Sequence, residues 1–256
     1  MKQYNPRQCV ELFHLLFLSQ LGWKVDKKLY ALKGGCNMRF YFKSIRYSED
    51  MDFDIQIMNK DTLFKNINKL LSAIPFNNIL QAQGLEILNT SAPKQTSATQ
   101  RWKIELKSKH TALPLHTKVE FSRREFEEDT IYESIDSQII RQYSLLPFMA
   151  NHYSIKSMFR QKVRALALRG ETQSRDIFDL YLLIGSGHHF ELDQSTTAML
   201  KVAKSKAEGI AFEDFKGQVV VYLSKDQQKE YDHASVWDVI VKTVITSMDD
   251  YKYEVN

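Results

Sequence analysis

Between residues 50 and 55 acidic and apolar positions alternate, with Asp50, Asp52 and Asp54 set against Met51, Phe53 and Ile55. A period of two marks a half-buried strand, so the three carboxylates share one face. Elsewhere the period is helical. Asn5-Pro6 reads as an N-cap with proline at the first helical position; Val10, Leu12, Phe13, Leu16, Phe17 and Leu21 give that helix its apolar side, and Gly22 closes it. A short helix is expected over 26–30 and a helical turn over 37–42. From Asp61, the residues Leu63, Phe64, Ile67, Leu70, Leu71 and Ile74 predict a helix that Pro75 ends. Strands are predicted over 85–88, 101–107 and 115–121, with a hairpin loop over 90–99. The mixed charges of 123–129 read as a solvated loop.

Residues 134–149 are expected to cross to a second half, with Pro147 as a break. There a helix over 154–169 carries Ile155, Met158, Phe159 and Leu166 inward and stops at Gly170. Ser174 is expected to cap the next helix. Further helices are predicted over 193–207, 212–230 and 235–250, the last with Val236, Val239, Ile240, Val244 and Ile245 on its apolar face. Residues 219–223 suit a strand by type, but their flanks favour helix. The division is therefore 1–148, an α/β half, and 149–256, a helical half.

Composition adds constraints. The chain has 256 residues, 43% hydrophobic and 26% charged, which supports a packed core and excludes global disorder. Its net charge of +4 and pI near 8.8 are compatible with nucleotide or RNA binding. Two cysteines, Cys9 and Cys36, cannot make a disulfide framework. No signal peptide is read at the start and no apolar run reaches membrane-spanning length, so a cytoplasmic protein without membrane attachment is expected. His188-His189 lacks a cysteine or carboxylate pattern for zinc and reads as loop. Trp237, Tyr251 and Tyr253 could stack on bases, though such residues near helix ends more often pack in a core.

The chemistry centres on the acid strand. Same-face carboxylates sit roughly 6.5–7 Å apart. Two bare charges there repel by about 0.6 kcal/mol in water and roughly 2.5 kcal/mol at an effective dielectric of 20. A hard divalent ion such as Mg²⁺ reverses that sign by taking carboxylate and phosphate oxygens together. The plain alternative is a solvated polar face on an edge strand. Upstream, Lys33 precedes Gly34 and Gly35, whose backbone N–H groups can approach an anion closely, and Arg39, Arg46 and Ser48 add donors. On the strand 115–121, Glu120 is the candidate for a third acid that holds metal or takes a proton from an attacking hydroxyl. Lys162 falls within the apolar stripe of its helix, where it either snorkels to water or meets an anion. Asp176 and Asp179 are three apart on one helix face, where they also suit a helix N-terminus.

Lys33, Gly34, Gly35, Arg39, Arg46, Ser48, Asp50 and Asp52 together resemble the signature of the AbiEii/AbiGii toxin group of the nucleotidyltransferase superfamily. Cys36-Asn37-Met38 departs mildly from the pattern and leaves the charged positions intact. A second motif resembles that family's lysine helix: Lys162, Ala165, Leu166, Arg169, Arg175, Asp176, Asp179 and Leu180. The resemblance spans much of 25–185 and does not reach the last seventy or so residues.

The resemblance implies a nucleotidyltransferase-like mixed sheet flanked by helices, followed by a helical half that completes the nucleotide site. It implies transfer of a nucleotidyl group from an NTP to an acceptor such as tRNA or another RNA, in a toxin with a cognate antitoxin. Asp50, Asp52 and Glu120 would hold one or two Mg²⁺ ions, with Glu120 alternatively the base. Lys33, Gly34, Gly35, Ser48, Arg39 and Arg46 would meet the nucleotide. Lys162 would clamp the triphosphate, supported by Arg169, Asp176 and Asp179. Two other classes stay open: a nucleotide- or RNA-binding module without turnover, and a metal-dependent phosphohydrolase.

Overall fold

The computed structural model describes residues 3–124, 126 and 129–251. It has two compact units: residues up to 43 with 47–153, and residues 44–46 with 154 onward.

The first unit opens with α1 (Pro6–Leu21), whose N-cap Asn5 forms a reciprocal capping box with Gln8. Nearly every side of α1 is buried, as expected of a helix that is apolar all round. Then come β1 (Tyr30–Lys33), α2 (Gly34–Tyr41), β2 (Asp50–Ile55), α3 (Lys60–Leu71), α4 (Ile74–Ala82), β3 (Leu85–Gln95), β4 (Thr99–Ser108), β5 (Leu115–Arg123), β6 (Thr130–Ser134), α5 (Ser137–Gln142) and β7 (Met149–Tyr153). The strands form a seven-stranded mixed sheet in the order β3-β4-β5-β2-β1-β7-β6. Strand β2 runs parallel to β5 and antiparallel to β1. Met51, Phe53, Ile55, Val119, Phe121, Trp102 and Ile104 join α1, α3 and α4 in one core, which leaves the acids of β2 on the opposite face.

Several boundaries differ from the sequence expectation, each for a local reason. Strand β2 is interior, not an edge, because β1 and β5 flank it. Residues 27–29 form only a 3₁₀ turn, and Tyr30 enters a strand. Helix α2 begins at Gly34 and not at residue 37. Helix α3 ends at Leu71 with Ser72 as C-cap, before Pro75 is reached; Pro75 instead opens α4, where its missing N–H is harmless, and Ile74 is exposed rather than part of the α3 stripe. The 90–99 hairpin loop shrinks to a tight turn: β3 runs through Pro93 on a sheet edge, where a register shift between Ser91 and Lys94 accommodates it.

Residues 149–153 are a sheet strand, so the first unit extends to Tyr153 and not to 148. Its polar residues hid it: Asn151 and His152 are buried but satisfied, with Asn151 donating to the Tyr30 carbonyl at 2.8 Å and His152 stacked on Tyr41 at 3.4 Å. In the 123–129 run, Glu125, Glu127 and Glu128 lie outside the described residues, while Arg123 ends β5 and Arg124 pairs with Asp54.

The second unit is helical: α6 (Ile155–Leu168), α7 (Ser174–Gly185), α8 (Gln194–Glu208), α9 (Phe212–Gln218), α10 (Lys225–Tyr231) and α11 (Ala234–Asp250). Ser154 caps α6 through the Ser157 amide. The expected 212–230 helix is broken by a 3₁₀ turn over Val220–Tyr222, where three successive β-branched valines disfavour helix. Helix α7 starts one residue earlier than expected, with Gln173 as N-cap; the Ser174 hydroxyl instead donates to the Asp214 carbonyl at 3.0 Å. Trp237 is core, stacked on Phe215 at 4.5 Å, and Tyr251 packs edge-on to Phe159. Val239 is 58% exposed and does not belong to the apolar face of α11. Tyr253 lies outside the described residues. Among the described residues no helix is long and apolar enough to cross a membrane.

Candidate active site

In the first unit, the pairing of β2 with β5 sets Asp50 opposite Lys118 and Asp52 directly opposite Glu120. Parallel neighbours in register present matching faces, so Asp50, Asp52, Asp54, Glu120 and Ser122 form one polar surface. Lys33, at the end of β1, is the cross-strand partner of Asp52. Its ammonium donates to Asp54 Oδ1 at 2.5 Å and to Ser122 Oγ at 3.2 Å. Asp54 also receives the Tyr153 hydroxyl at 2.7 Å and pairs with Arg124 at 3.0 Å. It is buried, and these partners account for its charge.

Asp52 is in a different state. Among the described residues no side chain donates to it. Burial pushes its carboxyl up from the ordinary range; Lys33 opposes that, and the negative charges of Asp50 and Glu120 add to it. Gly34 has φ +67°, and a Cβ there would stand 3.3 Å from Asp52 Oδ2. The glycine therefore opens a cradle at the start of α2, whose N-cap Lys33 supplies no side-chain hydrogen bond to the first-turn amides. Those amides are available to an anion. Ser48 does not face outward: its hydroxyl donates to the Asp50 carbonyl at 2.8 Å and holds the start of β2.

Asp50 pairs with Lys118 at 2.7 Å, and Glu120 with Arg101 at 2.5 Å. Among the described residues no three His, Cys, Asp or Glu side chains gather closely enough to hold an ion alone. The expected trio of Asp50, Asp52 and Glu120 is thus not a closed metal cage, because Lys118 and Arg101 each hold one of its members. Two carboxylates on one strand face, one lacking a donor, beside free helix amides, do fit Mg²⁺. That ion commonly uses one or two carboxylates and completes its octahedron with phosphate and water oxygens.

Arg39 lies elsewhere. Its guanidinium donates to Glu11 at 2.7 and 3.3 Å and covers the Tyr47 ring, and Glu11 also takes the Tyr143 hydroxyl at 2.7 Å. The structure commits Arg39 to a buried pair and not to the acid face. Near it, Cys36 is buried with its thiol donating to the Asp50 carbonyl at 3.3 Å, and burial raises its pKa well above the usual thiol range.

The second unit holds its own cluster. Lys162 is buried in α6, with its ammonium 2.9 Å from Asp176 and 2.6 Å from Asp179. Arg169 pairs with Asp176 at 2.8 Å and Arg46 with Asp179 at 3.3 Å. Burial works against the Lys162 ammonium, but Asp179 and Asp176 outweigh it and raise its pKa. Burial likewise opposes ionisation of Asp176, and Lys162 and Arg169 more than offset that, so its pKa is lowered. The motif spacing identified all of its members, but not that Lys162 and the aspartates satisfy one another. Lys118, Arg101 and Arg124 were missed as counter-ions. Strand register brings Lys118 and Arg101 to the acids, and a single sequence does not give register.

A family model described as "Nucleotidyl transferase AbiEii toxin, Type IV TA system" matches residues 16–245. Among solved structures, JHP933 from Helicobacter pylori is similar with a TM-score of 0.61 at 19% identity, covering 100% of this chain and 98% of that one. MenT4, a nucleotidyltransferase toxin from Mycobacterium tuberculosis, is similar with a TM-score of 0.57 at 15% identity, covering 94% and 83%. At these identities the structural likeness is one of fold. No curated protein matches the chain.

Proposed function

The chain belongs to the AbiEii nucleotidyl transferase toxin family, and on that footing we propose that it moves a nucleotidyl group from an NTP to a hydroxyl of an RNA acceptor, tRNA foremost. It would act as the toxin of a pair, restrained by a cognate antitoxin. The observation that carries this reading is the partnerless Asp52 beside the Gly34 cradle, with Asp50 on the same face and Glu120 directly opposite.

Asp50 and Asp52 would hold Mg²⁺, which supplies charge neutralisation to the triphosphate and the leaving pyrophosphate. The first amides of α2 receive phosphate oxygens. The acceptor oxygen bonds to the α-phosphorus, the bond to the bridging oxygen of pyrophosphate breaks, and Glu120 takes the hydroxyl proton. Arg101, paired to Glu120, holds that carboxylate in place. Lys33 keeps the end of β1 fixed by its bonds to Asp54 and Ser122, which sets where the glycines sit. In the second unit Lys162 pairs with both Asp176 and Asp179 and orders them.

The test uses α-labelled NTPs, total RNA and Mg²⁺ with the full chain. Label should enter RNA with one pyrophosphate released per transfer, and D52N should not transfer. Release of orthophosphate without labelled RNA would replace this reading with a phosphohydrolase; no turnover with retained NTP binding would replace it with a binding module.

A further inference from the structure

The acid face of the first unit carries its own cations. Asp54 has Lys33 and Arg124, Glu120 has Arg101, and Asp50 has Lys118. Lys118 differs from the others in its surroundings. Its side chain is 37% exposed and that of Asp50 28%, and both line an open groove of about 490 Å³ with Lys103, His116, Asn89 and Ser91. Lys103 lies directly across from Lys118 on β4. Like charges at that register repel, which favours Lys118 leaning away from Lys103 and onto Asp50.

We propose that Lys118 is a placeholder cation: its ammonium neutralises Asp50 until a divalent ion takes that carboxylate, and then turns out into the groove. This rests on reading Asp50 and Asp52 as the metal-holding pair. Three physical points carry it. Without Lys118, Asp50 would be a second bare charge beside the partnerless Asp52, and the two would repel. With an ion on Asp50, the ammonium at 2.7 Å would face a divalent positive charge at close range, and it must leave. A lysine can do so, because its point charge rides on a flexible stem. The groove gives the departing ammonium solvent to enter.

The test is Mn²⁺ binding by the full chain, followed by electron paramagnetic resonance of the free ion. K118M, lacking the competitor, should bind Mn²⁺ roughly two- to fivefold more tightly than wild type, the size expected for releasing a partly exposed pair. K118R should stay near wild type or weaker. In wild-type protein, acylation footprinting by mass spectrometry should show Lys118 labelling rise on adding Mg²⁺ while Lys103 stays constant; this arm does not depend on any variant folding. Unchanged or weaker Mn²⁺ binding by folded K118M, or Lys118 labelling that stays flat or falls with Mg²⁺, overturns the proposal while leaving the metal pair intact. Absence of Mn²⁺ binding by wild type overturns both.

Discussion

Asp52 and Glu120 stand directly opposite each other on two parallel strands, and only one of them has a counter-ion. Burial, with Asp50 and Glu120 adding to it against the pull of Lys33, makes the charge of Asp52 costly in the metal-free protein. A carboxyl whose folded pKa is raised destabilises the fold as pH climbs from the ordinary carboxylate range up through the raised value, and the cost is complete above it. D52N should therefore lower nucleotidyl transfer by at least about 10²-fold while leaving the melting temperature of metal-free protein equal to or above that of wild type. Radiolabel transfer and calorimetry on the same preparation check both halves.

Gly34 and Gly35 are adjacent but not equivalent. Of the two only Gly34 has a positive φ, and a Cβ there presses on Asp52 Oδ2. G34A should cost about 1 kcal/mol or more of stability from backbone strain, and it should cut activity further by displacing the carboxylate. G35A, inside α2 without a positive φ, should escape that backbone strain. Urea unfolding and steady-state kinetics of the two variants separate the effects.

Lys162 predicts a stability effect that a purely ligand-facing lysine would not show. Its removal leaves Asp176 and Asp179 buried with less compensation, as K162M would reveal by losing roughly 3–5 kcal/mol. K162M/D179N should recover part of that loss, since one of the uncompensated buried charges is gone. Chemical denaturation of the single and double variants reads the difference. A K162M protein as stable as wild type would contradict the cluster as described.

His14 gives a pH signature. It is fully buried in α1, its ring 2.7 Å from Thr117 Oγ1, and burial lowers its pKa from 6.5 to about 3. A base whose folded pKa is depressed contributes nothing adverse above 6.5 and destabilises progressively as pH falls from there toward 3, because the unfolded chain takes the proton first. Unfolding free energy should fall across that window, and H14Q should show a shallower fall. His152, lowered to about 4 for the same reason, adds to the slope between 6.5 and about 4 and remains in the variant.

Much of this was legible beforehand. The alternation of Asp50 to Ile55 gave the strand, its polar face and its acids, because period two is local information. The lysine helix and the Asp176–Asp179 spacing were equally local. What the sequence did not give depended on pairing between distant segments. That β2 is interior, that β7 joins the sheet through buried Asn151 and His152, and that Lys118 and Arg101 meet the acids all follow from strand register. Arg39 shows the same limit in reverse: its motif position suggested a phosphate, and its partner is Glu11, 28 residues away in α1.

The most direct measurement is a crystal structure of the full chain with Mn²⁺ and a non-hydrolysable NTP analogue, phased to reveal the anomalous signal of manganese. The peak should lie between carboxylate oxygens of Asp50 and Asp52 and phosphate oxygens of the nucleotide, with Lys118 released from Asp50. Manganese bound elsewhere, with Asp50 still on Lys118 and Asp52 remote from the nucleotide, would contradict the account.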